Sequence, residues 1–167
     1  MATMDNVKAA FAGESQANRK YLSFSEKAAQ EGFPIVGRLF RAASEAEAIH
    51  ARTLLMVMGA STSTAENLAG AVEGETHEFT EMYPAFLEEA EAEGQKAAIT
   101  PFTYAMKAEE VHAGLYQRAV EAVRAGRDLE AAKVLLCPVC GNIAFDEAPE
   151  RCPICNIPGA RWREIAL

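Results

Sequence analysis

Carboxylates interrupt the apolar stripe of each long helical stretch of this chain, at about the middle of the stretch. At helical spacing, Glu14, Glu47, Glu75 and Glu109 fall among apolar residues on the core-facing sides of four helices. Ionised carboxylates that converge in a core are costly, and they are protonated or expelled unless cations hold them. A pair of divalent or trivalent metal ions resolves this conflict. The stripes therefore predict a helical fold built around two metal ions.

A histidine follows two of these glutamates at a spacing of three residues, His50 after Glu47 and His112 after Glu109. Side chains at positions i and i+3 share a helical face and can serve the same metal cluster. Four-helix bundles hold two metal ions with a Glu-x-x-His from each of two helices and a Glu from each of the other two. A surface Glu–His pair is the alternative for either motif alone. The common core-facing position of both motifs argues against it.

The helical part contains an internal repeat. Ala12-Gly13-Glu14-Ser15 resembles Glu73-Gly74-Glu75-Thr76. Glu47 follows Glu14 by 33 residues, and Glu109 follows Glu75 by 34. The two helix pairs therefore look like copies related by an approximate two-fold. The unequal spacings leave the start of the fourth helix open.

Four glycines that can act as left-handed C-caps divide the helical part, namely Gly32, Gly59, Gly94 and Gly126. They predict helices at 4–31, 34–58, 64–93 and 96–125. Ser63 and Glu66 form a candidate capping box at the start of the third helix. Pro101 requires either a later start of the fourth helix, capped by Thr100, or a kink.

All four cysteines lie near the C-terminus in two Cys-x-x-Cys pairs separated by 11 residues, Cys137 with Cys140 and Cys152 with Cys155. This spacing predicts a tetrathiolate metal site, since such pairs in a reducing compartment are more often metal ligands than disulfides. Zinc and iron both accept this geometry, so a structural zinc ribbon stays an alternative. The neighbouring metal site favours iron, because a redox centre can use an electron carrier. We expect a helical domain at 1–130 and a tetracysteine domain at 131–167, with a short strand at Val134–Leu136.

Composition excludes some classes of function. The chain has 167 residues, half of them apolar, and a formal net charge of −8. This charge argues against binding nucleic acid, because phosphate contacts need clustered Lys and Arg. No uninterrupted apolar run reaches about 18 residues, and the N-terminus lacks a basic region followed by an apolar run. We therefore expect a cytoplasmic protein with no membrane span.

Taken together, the motifs resemble those of the rubrerythrin family, in which a ferritin-like di-iron four-helix bundle precedes a rubredoxin-like domain. The matching segments cover nearly the whole chain and are Gly13-Glu14, Glu47-x-x-His50, Gly74-Glu75-x-x-Glu78, Met82-Tyr83-Pro84, Glu109-x-x-His112, Cys137-Pro-Val-Cys140-Gly141 and Cys152-Pro-Ile-Cys155. The resemblance implies an all-α fold with a small tetracysteine domain. It also implies a peroxidase that reduces hydrogen peroxide to water at a reduced di-iron centre.

The resemblance assigns a role to each site residue. Glu47 and Glu109 are implied to bridge the irons, Glu14 and Glu75 to be terminal ligands, and His112 to hold one iron. The other iron exchanges a carboxylate for a histidine on reduction, which corresponds here to Glu78 and His50. Tyr21 and Tyr83 occupy positions whose hydroxyls hydrogen-bond near the cluster. The four cysteines hold a further iron that returns electrons one at a time.

Partners and rival functions also follow from the resemblance. It implies a rubredoxin or an NAD(P)H-dependent reductase as electron donor, and a homodimer, with helix exchange between subunits as in some members. The ligand set alone also fits an oxygen-using ferroxidase or oxidase. A metal-storage or zinc-stabilised protein without turnover is the rival from another class, since zinc can replace iron in such sites.

His77 points away from the stripe and is expected at the surface.

Overall fold

Helices make up most of the chain, as the glycine caps predict. The computed structural model describes residues 2–166. Its helices are α1 (Ala2–Gln30), α2 (Pro34–Val57), α3 (Thr64–His77), α4 (Tyr83–Ala92) and α5 (Lys96–Arg124), and a π-helical turn at Glu78–Met82 joins α3 to α4. No helix within this range combines the length and the apolar character that a membrane crossing requires.

The predicted helix ends are confirmed to within two residues. The four capping glycines have φ angles of 84°, 63°, 70° and 68° at Gly32, Gly59, Gly94 and Gly126, in the left-handed region where a side chain is strained. At the start of α3, the Ser63 side chain accepts a hydrogen bond from the Glu66 backbone N–H, and the Glu66 carboxylate accepts one from the Ser63 N–H. This is the reciprocal capping box that the sequence predicts.

The third helix departs from prediction, because it is not α-helical throughout 64–93. Its π-helical turn is defined by a hydrogen bond from the Tyr83 N–H to the carbonyl of Glu78, five residues earlier. Pro84 follows directly and has no N–H with which to continue an α-helical ladder. The Thr80 hydroxyl donates to the carbonyl oxygen of Thr76 at 2.6 Å, which satisfies an acceptor next to the changed register.

The π-turn accounts for the unequal spacing of the repeat. Tyr21 follows Glu14 by seven residues, whereas Tyr83 follows Glu75 by eight. Beyond the π-turn the two copies match again, because each tyrosine ring lies near two phenylalanine rings. The centroid distances are 6.2 Å from Tyr21 to both Phe24 and Phe40, 6.2 Å from Tyr83 to Phe86, and 6.1 Å from Tyr83 to Phe102. The extra residue therefore lies in the turn, and not at the start of the fourth helix.

Pro101 does not delay the start of the fourth predicted helix, which is α5 in the structure. The helix α5 begins at Lys96 and continues through Pro101, so a later start capped by Thr100 is wrong. Pro101 is the sixth residue of α5, beyond the first turn, so its missing N–H removes one intrahelical hydrogen bond, to the carbonyl of Ala97.

The chain up to Thr62 is one compact unit, in which α1 packs against α2. The two helices approach closely at Gly37, where an added Cβ would lie 3.1 Å from the carbonyl oxygen of Ser25. The Ser25 hydroxyl donates a hydrogen bond to the Gly37 carbonyl at 2.8 Å. Gly37 therefore allows the two helices to approach closely, and the Ser25 hydroxyl stabilises this contact between the C-terminal part of α1 and the N-terminal part of α2.

The unit from Ser63 onward combines the remaining helices with a small sheet. The helix α5 packs against α3 and α4, and the strands β1 (Val134–Leu136), β2 (Ile143–Phe145) and β3 (Arg163–Glu164) form an antiparallel sheet in the order β2-β1-β3. The predicted strand is confirmed as β1. Gly159 is required near β3, because a Cβ there would collide with the carbonyl oxygen of Pro149.

Candidate metal centres

The first candidate ligand group lies in the unit formed by α1 and α2. The Nδ1 atom of His50 is 2.9 Å from Glu47 Oε2 and 3.9 Å from Glu14 Oε2. The helix α2 provides Glu47 and His50 one turn apart, and α1 provides Glu14. The side chains of Glu47, His50 and Glu14 are 19%, 56% and 33% exposed, respectively. We call these three residues the first triad.

The second candidate ligand group lies in the other unit and repeats the first. The Nδ1 atom of His112 is 2.7 Å from Glu109 Oε2 and 3.9 Å from Glu75 Oε2. The side chains of His112, Glu109 and Glu75 are only 15%, 18% and 20% exposed. We call these three residues, from α3 and α5, the second triad.

Both triads have a geometry that fits a metal ion. One ligand atom from each member lies within 4.8 Å of the others in both groups. Two nitrogen or oxygen ligands bonded to one ion at about 2.1 Å lie no more than about 4.2 Å apart, and all four histidine–carboxylate distances satisfy this limit. Histidine nitrogen with carboxylate oxygen is also a donor set that iron accepts.

Each triad holds two carboxyls close enough to share a proton. The hydrogen bond between Glu14 and Glu47 raises the pKa of Glu14 and lowers that of Glu47, which also gains a hydrogen bond from His50. In the second triad, burial, followed by the hydrogen bond and charge of Glu109, raises the pKa of Glu75 to about 7. A metal cation would replace the shared proton. Metal binding is therefore coupled to proton release.

Glu78 and Tyr83 lie next to the second triad. The charge of Glu78 contributes to the raised pKa of Glu75, which places its carboxylate near the triad although it is not a member. Burial and the charges of Glu109, Glu78 and Glu75 raise the pKa of Tyr83. The Tyr83 hydroxyl therefore stays protonated at neutral pH and can donate a hydrogen bond toward this group.

Tyr21 is the counterpart of Tyr83 in the first unit. It lies in the aromatic group with Phe24 and Phe40. The structure shows this packing, and the expected hydrogen bond of Tyr21 near the cluster stays a prediction. His77 lies at the surface as expected, 59% exposed, with Nδ1 3.4 Å from Glu81 Oε2.

A hydrogen bond joins the second triad to the cysteine segment of the same unit. The Nε2–H of His112 donates to the carbonyl oxygen of Gly141 at 3.0 Å. Because a carbonyl can only accept, Nε2 carries a proton, and Nδ1 becomes the metal-binding nitrogen once the proton that it shares with Glu109 at 2.7 Å is released. Gly141 directly follows Cys140. The contact fixes the ring of one candidate ligand and connects it to a candidate thiolate ligand.

The four cysteines converge without forming disulfides. The Sγ atoms of Cys137 and Cys155 are 3.5 Å apart, as are those of Cys140 and Cys152. Four sulfurs at about 2.3 Å from one ion have tetrahedral edges of about 3.8 Å, so the group needs little adjustment to hold one. Cys137, Cys140 and Cys152 are buried, and Cys155 is partly exposed. We call these four residues the tetracysteine site.

Both Cys-x-x-Cys segments form the same backbone turn. The N–H of Gly141 bonds to the Cys137 carbonyl, and the N–H of Asn156 bonds to the Cys152 carbonyl. Gly141 and Asn156 have positive φ angles of 80° and 62°. Burial acts to raise the pKa of Cys152, but hydrogen bonds from the N–H groups of Cys155 and Ile154 lower it to about 7. Backbone donors thus favour the thiolate at Cys152, whereas burial and the neighbouring thiols raise the pKa of Cys140 and Cys155.

Two known protein families match this chain, one in its helical part and one in its tetracysteine part. The family model for rubrerythrin matches residues 5–120, and the model for the rubrerythrin rubredoxin-like domain matches residues 136–162. This chain belongs to the rubrerythrin family. It is 40% identical to rubrerythrin-2 of Clostridium acetobutylicum over 93% of this chain and 92% of that protein. It is 39% identical to nigerythrin of Nitratidesulfovibrio vulgaris over 94% of this chain and 83% of that protein.

A solved structure supports the fold class. The structure of fully reduced, all-ferrous nigerythrin matches with a TM-score of 0.59 and 35% identity, over 98% of this chain and 86% of that chain. The predicted fold class, a ferritin-like helical fold with a small rubredoxin-like tetracysteine domain, is confirmed. Members of the rubrerythrin family are iron-binding oxidoreductases, and the donor groups described above fit iron.

Sequence patterns did not indicate two contacts around the triads. The Gly141 carbonyl is 29 residues from His112, and backbone acceptors leave no residue signature. The hydrogen bonds between Asn18 and Ser44 join α1 to α2 beside the first triad. Asn18 is a polar residue on the core-facing stripe of α1, and this was the available signal for the second contact.

Proposed function

We propose that this protein is a peroxidase that reduces hydrogen peroxide to water with electrons relayed through iron in the tetracysteine site. The observation that carries the proposal is the presence of two triads with the same residues and nearly the same distances, one of them hydrogen-bonded to the tetracysteine segment. A single zinc-stabilised structural site would not need two carboxylate-rich groups, nor a link between one of them and the thiolates.

The proposed ligands are both triads together with Glu78. An iron pair held there would supply two electrons and Lewis acidity for cleavage of the O–O bond. The carboxylates neutralise the positive charge, and the His112 Nδ1 lone pair is kept available by the Gly141 hydrogen bond. Reduction of one peroxide to two waters consumes two electrons and two protons. Tyr83, kept protonated by its raised pKa, is proposed to orient hydrogen peroxide by donating a hydrogen bond to it, with Tyr21 as its counterpart.

The proposed electron route runs from the Cys140 thiolate through the Gly141 backbone to the His112 ring. Covalent bonds and one hydrogen bond of 3.0 Å connect these groups. Tyr104 of α5 also packs against the buried cysteines. We propose rubredoxin or an NAD(P)H-dependent reductase as the donor to the tetracysteine iron. A reducing cytoplasm is the compartment that suits four free cysteines.

We also propose a homodimer, with exchange of helices between subunits as one form of it. Exposed apolar side chains along α2 support this proposal, namely Ile35, Leu39, Met56 and Val57 at 69%, 68%, 71% and 58% exposure. An exposed apolar helix face of this extent is typical of a surface that is buried against another protein chain. Sedimentation equilibrium tests it, and a monomer at micromolar concentration would contradict it.

An anaerobic peroxide titration of the fully reduced protein tests the proposed reaction. We expect one molecule of hydrogen peroxide to consume two electrons from the iron held by the two triads. We also expect turnover with peroxide to exceed turnover with oxygen. Faster turnover with oxygen would replace the peroxidase proposal by an oxidase or ferroxidase. A colourless protein that binds metal and reacts with neither oxidant would make it a storage or structural protein.

A further inference from the structure

A partly buried polar contact joins α1 and α2 beside the first triad. The Asn18 Nδ2 group donates to the Ser44 carbonyl oxygen at 2.7 Å and to Ser44 Oγ at 3.0 Å. The Ser44 hydroxyl in turn donates to the Asn18 carbonyl oxygen at 2.9 Å. Ser44 is 3% exposed, so water competes little for these bonds. We call this contact the Asn18–Ser44 clamp.

The clamp lies one helical turn from the two carboxylates of the first triad. Asn18 is four residues after Glu14 on α1, and Ser44 is three residues before Glu47 on α2. Residues at these spacings share a helical face. One of these hydrogen bonds is accepted by the backbone carbonyl of Ser44 on α2, and another by that of Asn18 on α1. They therefore restrain the position of the turn that carries Glu14 relative to the turn that carries Glu47.

The second triad lacks this pair of residues. The step from Glu47 to Glu109 in the repeat carries Ser44 to Met106, an apolar residue. The second triad is braced instead by the hydrogen bond from His112 to Gly141. The first triad is more exposed, with its histidine 56% exposed, and packing therefore restrains its side chains less.

We propose that Asn18 and Ser44 are positioning residues that hold Glu14 and Glu47 at the separation a metal ion requires. The inference rests on the proposed iron-binding function of the first triad. Residues that orient metal ligands without touching the metal typically change metal affinity by about 10- to 100-fold when they are removed. The clamp should therefore affect metal binding beyond its contribution to folding.

The test compares Asn18→Ala and Ser44→Ala with Ser25→Ala. Ser25→Ala is a matched control, because it removes a hydrogen bond of 2.8 Å between the same two helices, far along α1 from Glu14. Each full-length variant, with iron in the tetracysteine site, is titrated anaerobically with ferrous ion against a competing chelator. Near-infrared circular dichroism follows the ferrous ligand field. Thermal unfolding without iron in the helical centre gives the stability of each variant.

We expect all three variants to unfold at lower temperature than the wild type. Only Asn18→Ala and Ser44→Ala should weaken ferrous binding, by about 10-fold, and alter the ligand-field bands. Wild-type affinity in both clamp variants, or equal weakening in Ser25→Ala, would overturn the inference. If Asn18→Ala fails to fold, Ser44→Ala decides, since it keeps the Asn18 bond to the Ser44 carbonyl. A wild type that binds no ferrous ion outside the tetracysteine site would instead refute the proposed function.

Discussion

The two triads present the same ligands in different surroundings. The shorter histidine–glutamate distance is 2.9 Å in the first triad and 2.7 Å in the second, and the longer one is 3.9 Å in both. His50 is nevertheless 56% exposed, whereas His112 is 15% exposed. The internal repeat thus preserves the atoms that would touch metal and leaves their environment free to differ.

The difference lies in what supports each triad. Hydrogen bonds between two helices flank the first triad, through Asn18 and Ser44. The second is tied to the tetracysteine segment through Gly141 and lies beside the π-turn that begins at Glu78. The second triad is therefore the one connected to the proposed electron source. Substitutions at corresponding positions of the two triads should have unequal effects.

The largest effect is expected for Cys140→Ser, which breaks the proposed connection at its source. Peroxide reduction driven by the physiological donor should fall to the uncatalysed background, because the tetracysteine iron is lost as a relay. Far-ultraviolet circular dichroism should show an intact helical part, and chemically reduced protein should still consume peroxide. Survival of donor-driven turnover would show that electrons take another route.

His112→Ala should lower donor-driven turnover by at least about 100-fold, since it removes a metal ligand and the group hydrogen-bonded to Gly141. Metal analysis should show reduced iron in the helical centre. His77→Ala is the matched control, because His77 is a helical histidine that is 59% exposed and paired with Glu81. It should retain wild-type turnover and iron content.

His50→Ala should have a smaller effect, about a 10-fold loss of turnover. Its position is open to solvent, so water can take the vacated coordination position. Electron delivery should continue, because the contact between His112 and Gly141 is unchanged. Stopped-flow measurement of both the reductive and the oxidative half-reactions separates these steps. A loss equal to that of His112→Ala would remove the inferred difference between the triads.

The smallest effect concerns the pH dependence of the free energy of unfolding, measured on protein without metal at the two triads. The folded state keeps a proton on Glu75 up to a pKa of about 7, whereas the unfolded chain releases it near 4.5. The folded state thus binds more protons between these values, and the free energy of unfolding should fall as pH rises through that window. Denaturant unfolding from pH 4.5 to 7 measures this slope. Glu75→Gln should flatten it, and identical slopes would refute the assignment.

Sequence reasoning was most successful where a local pattern has one physical meaning. Gly32, Gly59, Gly94 and Gly126 all adopt the left-handed conformation predicted for helix caps. It failed at the π-turn, because the unequal repeat spacing showed that a residue was added without showing where. Pro84 and the matching aromatic groups show that the extra residue lies between Glu75 and Tyr83.

Contacts within one helix were predicted better than contacts between elements. The spacing of three residues brings Glu47 to His50 and Glu109 to His112, and such contacts follow from helix geometry alone. The exposures of the two histidines and the hydrogen bond to Gly141 depend on tertiary packing. No periodicity within a helix encodes that packing. The composition of the triads is therefore a local property of the sequence, whereas the difference between them is not.

Iron content and Mössbauer spectroscopy of freshly reconstituted protein test most directly whether both triads hold iron. We predict iron at each of the three ligand groups, with two irons giving the signature of a coupled pair and one that of a ferric tetrathiolate. Iron at the tetracysteine site alone, with no coupled pair, would contradict it.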